Sequence, residues 1–227
     1  MRRDILRFGK SGNGLTVAVL ASALLIAAPA HAEKPYDFAA TPGKLPKTVV
    51  PSAYRIDLQP NLEALTFTAK EEIDIAVAKA TDSVTLNQNA LKIETVALKG
   101  EDGAKATVTL DEKAQTATFH FPHPLGAGPH TLTVAYSGPL PEPPAGLYYN
   151  DYDIAGVHKR MLVTQFEATD ARRMFPGWDE PAFKATYTLS VTVPSSFRAI
   201  SNTPVAHEEP AGAAAKKVTF GTTPKMS

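Results

Sequence analysis

The sequence predicts an all-β fold in which antiparallel sheets pack as a sandwich or an open barrel. Apolar and polar residues alternate with period two in several short runs between Tyr54 and Phe220, and such a strand buries one face and exposes the other. Turn-prone clusters separate the runs at residues 101–103, 126–129 and 137–139. Short strands at this spacing are typical of antiparallel sheets. No segment after residue 32 keeps the 3.6-residue period of an amphipathic helix.

The predicted strands follow one another along the chain, each with one apolar face. Their alternating apolar positions lie in residues 73–77, 108–110, 119–121, 132–136, 187–193 and 218–220. Residues 137–146 contain four prolines, which cannot donate to a sheet ladder, and therefore predict a stiff surface connection. Residues 206–215 predict a loose hairpin tip. No internal repeat is present, so we expect a single β domain.

The N-terminus has the order of a secretory signal peptide. Four basic residues precede the apolar residues 15–29, and the small-x-small triplet Ala30-His31-Ala32 follows. This order predicts cleavage after Ala32 and export to the periplasm or the medium. The apolar stretch is shorter than the roughly 20 residues that span a bilayer, so we expect no stable membrane insertion. Residues 33–46 are then an extended N-terminal arm, and residues 47–227 form the β domain.

Charge and cysteine usage exclude several classes of function. The chain has 23 basic and 23 acidic residues, and the first 32 residues hold four of the basic ones and one acidic one. The predicted mature chain is therefore slightly acidic, which argues against nucleic acid as a partner. Because cysteine is absent, an exported chain of this kind must rely on its apolar core instead of disulfides.

The histidines do not form a zinc motif. His207-Glu208-Glu209-Pro210-Ala211 begins like the HExxH helix of zinc peptidases but lacks the second histidine, and Pro210 would break a helix. His120 and His123 are flanked by prolines and are interpreted as a surface pair. We expect this chain to bind no metal. It also has no cysteine and no GxSxG elbow for nucleophilic catalysis.

The densest group of polar and aromatic residues lies in residues 164–184. On a strand over residues 162–167, Gln165 and Glu167 share one face, and Phe166 points to the other. If Phe166 packs into the core, the amide and the carboxylate project together to solvent. Downstream, Asp179 or Glu180 can cap a short helical turn that begins with Pro181, anchored by Phe175, Trp178 and Phe183.

The residue types alone leave a second interpretation of this group open. Glu167 or Asp170 can pair with Arg172 or Arg173 on a solvated edge, and surface ion pairs of this kind are common and contribute little. By residue chemistry alone, the chain could equally be a non-catalytic exported β-sandwich that binds peptide or carbohydrate.

Residues 164–194 (TQFEATDARRMFPGWDEPAFKATYTLSVTVP) resemble the N-terminal domain of the aminopeptidase N family of zinc peptidases. Residues 200–205 (ISNTPV) continue this match, and weaker matches occur in order at residues 45–60, 136–138, 146–148 and 223–227. The resemblance therefore covers nearly all of the predicted mature chain. One departure is Gly177, where many relatives have cysteine.

The resemblance implies a saddle-like β domain beside a zinc-containing catalytic cleft. By motif position, Gln165 lines the pocket for the first side chain of the substrate, and Glu167 binds the free α-amine. The resemblance also implies that the zinc ligands lie in a catalytic domain absent from these 227 residues. We therefore expect a C-terminally truncated domain that is inactive alone, with zinc, peptides bearing a free N-terminus and the catalytic domain as the cofactor and partners of the full-length enzyme. A family member without aminopeptidase activity remains an alternative.

Overall fold

The computed structural model describes residues 35–100 and 105–227. The predicted signal peptide and the whole of the predicted turn at 101–103 lie outside the described residues. The β domain extends from Asp37 to Ser227. Its twelve described strands are β1 (Val49–Asn61), β2 (Thr66–Val77), β3 (Thr81–Asn87), β4 (Lys92–Leu98), β5 (Thr107–Asp111), β6 (Thr116–Leu125), β7 (Gly128–Pro139), β8 (Gly146–Ile154), β9 (Val157–Gln165), β10 (Thr186–Pro194), β11 (Val205–Pro210) and β12 (Ala215–Phe220).

The described part of the chain contains no α-helix. Short 3₁₀ helices occur at Phe38–Ala40 and Ala171–Arg173. None of the helices in residues 35–100 and 105–227 has the length and apolar character needed to cross a bilayer. The prediction of an all-β fold is confirmed.

The strands form three sheets. A seven-stranded sheet has the order β11-β12-β10-β1-β2-β7-β4, a three-stranded sheet has the order β3-β6-β5, and β8 and β9 form a separate hairpin. The pairings are antiparallel except between β1 and β10, which run parallel with Ile56 opposite Leu189. The sequence predicted antiparallel sheets only. The exception arises because residues 166–185 carry the chain from the hairpin back to the same end of the sheet at which β1 begins.

One apolar core lies between the two larger sheets. Ile73, Leu132 and Phe119 are fully buried, and they belong to one cluster with residues from both sheets. The alternation predicted for β2 and β7 is confirmed by their burial patterns. Leu110 differs from the prediction because it is 48% exposed on β5, the edge strand of the small sheet.

The segment predicted as an extended arm is only partly extended. Asp37 accepts a hydrogen bond from the amide of Ala39 at 2.9 Å and so begins the first 3₁₀ helix. The ring of Phe38 packs edge-on against Phe183 at 5.3 Å. The turn forms because an Asp cap and an aromatic contact act together at this point.

Candidate functional site

The candidate site lies at the base of the β8–β9 hairpin, where β9 ends at Gln165. Gln165 and Glu167 are both exposed, and Phe166 between them is half-buried against the core. The ring of Phe166 lies 6.2 Å from that of Phe175 in an edge-to-face arrangement. The expected separation is therefore present, with the aromatic ring inside and the amide and carboxylate outside.

Glu167 lies in a turn and not on the strand that the sequence predicted. Residues 167–170 form this turn, in which the amide of Asp170 donates to the carbonyl of Phe166 at 2.9 Å. The peptide bond between Glu167 and Ala168 is cis. The strand ends earlier than predicted because its partner β8 begins at Gly146, directly opposite Gln165.

Glu167 borders a groove of about 400 Å³ between this turn and strand β10. The walls are mainly apolar and include Phe166, Phe175, Tyr187 and Leu189. Burial raises the pKa of Tyr187 to about 12, so its hydroxyl keeps its proton at neutral pH. Gln165 is not among the groove residues. The structure thus brings only one of the two predicted site residues to the groove, and their roles in substrate binding stay predictions.

The ion pairs near the site separate the two interpretations of its acidic residues. Asp170 pairs with Arg173 at 2.7 Å, as the surface interpretation proposed. Arg172 pairs with Asp179 at 2.8 Å. Within the described ranges, Glu167 forms no ion pair with a basic side chain, so its carboxylate faces solvent and the groove without a cationic partner.

The loop that follows the turn is held by a buried polar network. Arg172 donates to Asp179 through Nε and to the side chain of Gln115 at 3.2 Å. The backbones of Asn87 and Gly177 exchange two hydrogen bonds of 2.8 and 3.0 Å. These contacts attach the loop to the three-stranded sheet at β3 and at the β5–β6 turn.

Aromatic side chains attach the same loop to the seven-stranded sheet. Tyr54 stacks on Tyr187 at 4.8 Å and lies 5.7 Å from the ring of Phe175. The Tyr54 hydroxyl accepts a hydrogen bond from the amide of Trp178 at 3.2 Å. Trp178 and Phe183 are both buried. The aromatic anchoring predicted from the sequence is therefore present.

The short helical turn predicted after Asp179 is only a single hydrogen-bonded turn and not part of a helix. The amide of Phe183 donates to the carbonyl of Glu180 at 3.0 Å, and no helix follows. Asp179 is engaged with Arg172, and the Glu180 carboxylate accepts from the amides of Lys44 and Leu45 at 2.8 and 3.0 Å. Neither acid caps a helix, because Arg172 engages Asp179 and the backbone of residues 44–45 engages Glu180.

Gly177 lies where the sequence departs from the family pattern. A Cβ at this position would lie 3.1 Å from the Tyr54 hydroxyl and 3.2 Å from the Phe175 ring. A larger residue therefore needs these two rings to move by a few tenths of an ångström, so the departure affects packing at the wall of the groove.

The described residues contain no group of three His, Cys, Asp or Glu side chains that could hold a metal ion. His120 and His123 are exposed on β6, and His207 lies 3.4 Å from Glu209 on β11. Zinc therefore has no fitting ligand set in the described part of the chain.

Sequence reasoning missed the Arg172–Asp179 pair and the role of Gly146. The two charged residues lie at opposite ends of an irregular segment, where neither strand nor helix periodicity predicts which side chains meet. Gly146 has φ +72°, and its presence in the weakly matching Gly-Leu-Tyr triplet was the available signal.

Comparison with known families places most of this chain in a class of peptidase domains. The chain belongs to the Peptidase M1 N-terminal domain family, whose model matches residues 50–227. The recognition of the aminopeptidase N family in residues 164–194 is thereby confirmed.

Several similar proteins are aminopeptidases by name. "Aminopeptidase N" of Acetobacter pasteurianus is 49% identical over 94% of this chain and 60% of the relative. "Aminopeptidase M1-C" of Oryza sativa subsp. japonica is 37% identical, and "Puromycin-sensitive aminopeptidase" of Caenorhabditis elegans is 33% identical, each over 81% of this chain. The chain spans 21% and 20% of the lengths of these two relatives.

Proposed function

We propose that this chain is the substrate-recognition domain of an exported zinc aminopeptidase, in which Glu167 binds the free α-amine of a peptide and Gln165 contacts its first side chain. One observation carries the proposal. An exposed carboxylate without a cationic partner among the described residues borders an apolar groove, within a segment shared with a peptidase family. The names of the relatives support an aminopeptidase activity for the whole enzyme.

Amine binding explains how an enzyme removes one residue at a time. A peptide α-amine has a pKa of about 8 and is therefore mostly protonated at neutral pH. Charge-assisted hydrogen bonds to a fixed carboxylate contribute roughly 1.5–3 kcal/mol each. An internal peptide segment has no ammonium group to offer. Glu167 thus sets the register of the substrate and favours a free N-terminus.

Gln165 supplies a neutral amide next to this charge. The amide has two donor hydrogens and an acceptor oxygen, so it can contact a polar or an apolar first side chain without demanding a charge. Zinc is bound by residues of the full-length enzyme that lie outside residues 35–100 and 105–227. No step of amine recognition runs through the metal, whose chemistry is to polarise the carbonyl and activate water.

The test compares Glu167→Ala with Glu142→Ala in the full-length enzyme. Both variants remove an exposed carboxylate, but Glu142 lies in the proline-rich loop and does not line the groove. We expect Glu167→Ala to lower kcat/KM for aminoacyl anilides by ~10²-fold, because a lost charged partner costs several kcal/mol. The Glu142 variant should hydrolyse them at the wild-type rate. Equal activity of all three enzymes would remove Glu167 from the amine-binding role.

Export and the lack of activity of the isolated chain can each be tested by a direct measurement. Export with cleavage after Ala32 predicts a mature protein that begins at Glu33, and mass spectrometry of the exported protein checks this. The purified 227-residue chain should hydrolyse no aminoacyl anilide with or without added zinc. Zinc-dependent turnover by this chain would contradict the assignment of the metal to the rest of the enzyme.

A further inference from the structure

Gly146 lies at the point where both ends of the Glu167 turn meet. It is the first residue of β8 and is paired with Gln165, the last residue of β9 and two positions before Glu167. On its other side it approaches Asp170 and Arg173, where the turn ends. One residue therefore contacts the chain on both sides of Glu167, at Gln165 before it and at Asp170 and Arg173 after it.

The position accepts only glycine without rearrangement. Gly146 has φ +72°, a conformation that residues with a Cβ rarely adopt. A Cβ there would lie 2.5 Å from the Cβ of Arg173 and 3.2 Å from the carbonyl oxygen of Asp170. These are a backbone atom and the stem of a side chain, which cannot swing away as a side-chain tip could.

The far end of the turn is fixed by the Asp170–Arg173 pair. Arg173 Nε donates to the Asp170 carboxylate at 2.7 Å, and the Arg173 amide donates to the Asp170 carbonyl at 3.1 Å. Arg173 in turn lies against Gly146. These contacts form a closed loop of contacts. Gly146 pairs with Gln165, the chain continues through the turn to Asp170, Asp170 pairs with Arg173, and Arg173 lies against Gly146.

We propose that Gly146, with the Asp170–Arg173 pair, is a positioning element that sets the distance between the Gln165 amide and the Glu167 carboxylate. The inference rests on the proposed function, because the distance matters only if both groups contact one peptide N-terminus. Neither Gly146 nor Arg173 needs to touch the substrate. An error of about 1 Å in the carboxylate position can cost up to ~10²-fold in a reaction that depends on orientation.

The hairpin offers a matched control for glycine replacement. Gly156, in the turn that joins β8 to β9, has φ +76°, and a Cβ there would have nothing within 4 Å. Gly156→Ala therefore carries the same backbone penalty as Gly146→Ala without the steric contact. Any excess effect of the Gly146 variant comes from the closed loop of contacts.

The readout is the contribution of the amine to ligand binding by the full-length enzyme. It is the ratio of the dissociation constants of 4-methylpentanohydroxamic acid, which lacks the amine, and L-leucine hydroxamate, which has it. We expect Gly146→Ala to lower this ratio by ~10-fold or more and Gly156→Ala to leave it within about twofold. A purely structural role would lower Tm and leave the ratio unchanged.

Asp170→Asn tests the same link without a steric clash, and both side chains of the pair are partly exposed, so the variant should fold. We expect a several-fold loss of the amine ratio, restored by the double exchange Asp170→Arg and Arg173→Asp. Wild-type ratios in both Gly146→Ala and Asp170→Asn, with the ratio lost in Glu167→Ala, would overturn the positioning role and leave the proposed function intact. A ratio unchanged in Glu167→Ala would overturn both.

Discussion

The centre of the seven-stranded sheet and the 146–183 region are stabilised in different ways. In β2 every second residue from Phe67 to Val77 is buried, whereas β9 has no buried residue. The sheet is held by burial of its apolar face. The hairpin and its loop are held by a glycine contact, two ion pairs and aromatic edges at their base. Apolar burial therefore maintains the scaffold, and a few directed contacts hold the segment that carries the candidate site residues.

The largest expected effect is the loss of a core side chain. Phe119→Ala should lower the free energy of unfolding by about 3–5 kcal/mol, because Phe119 is fully buried between the sheets and leaves a cavity. Leu110→Ala should cost well under half as much, since Leu110 is 48% exposed. Urea unfolding of the two variants checks the difference. Equal losses would mean that the burial of a side chain in this sandwich does not determine how much it stabilises the fold.

Removing the partner of a buried charge in the loop should destabilise the fold nearly as much. Arg172→Ala leaves Asp179, whose side chain is 15% exposed, without its cation, and such losses cost about 3 kcal/mol or more. Arg173→Ala breaks the neighbouring, more exposed pair with Asp170 and should cost about 1 kcal/mol or less. Thermal and urea unfolding compare these adjacent arginines. A greater loss in the Arg173 variant would show that the loop is not held by its buried network.

The sequence predicted the scaffold well and the site incompletely, for physical reasons. Period two predicted which residues of β2 and β7 are buried, because side-chain direction follows from the strand itself. The parallel pairing of β1 with β10 depends on the path of residues 166–185, which no local pattern records. The strand pattern put Phe166 on the face opposite to Gln165, and the structure packs it against the core, whereas the end of β9 was missed because it depends on where the partner strand β8 begins.

Glu71 is a buried carboxyl group that should make the stability of the scaffold depend on pH. It lies on the buried face of β2, is 2% exposed, and neither carboxylate oxygen has a hydrogen-bond partner among the described residues. Burial raises the pKa of Glu71 well above its usual value. The carboxyl is therefore protonated in the folded state over a pH range in which the unfolded chain has lost that proton.

The sign of the Glu71 effect follows from this difference. The contribution of Glu71 to the free energy of unfolding is fully present below the unfolded pKa of about 4.3. It is lost as pH rises toward the folded pKa, by up to about 1.4 kcal/mol per pH unit. Glu71→Gln should flatten this slope in urea midpoints measured from pH 4.5 to 7.5. A slope unchanged by the substitution would mean that another group produces it.

Glu72, the next residue, should show the opposite sign. Hydrogen bonds from Lys99 and Arg55 lower the pKa of Glu72 despite partial desolvation. Its contribution is therefore present above the unfolded pKa and lost as pH falls through the lower folded pKa. Glu72→Gln should reduce stability at pH 7 and have little effect near pH 3. Greater destabilisation at the lower pH would contradict the assignment of the ion pairs.

The smallest effect is expected at the tip of the hairpin, where apolar side chains contribute nothing to the core. Ile154 and Val157 are paired with each other and are 56% and 55% exposed. Replacing both by Thr keeps the β-branched shape and the strand preference, so the free energy of unfolding should change by about 0.5 kcal/mol or less. Urea unfolding checks the value. A loss of several kcal/mol would show that the hairpin tip is part of the cooperative scaffold, and the contrast between burial in the sheet and directed contacts at the hairpin base would no longer hold.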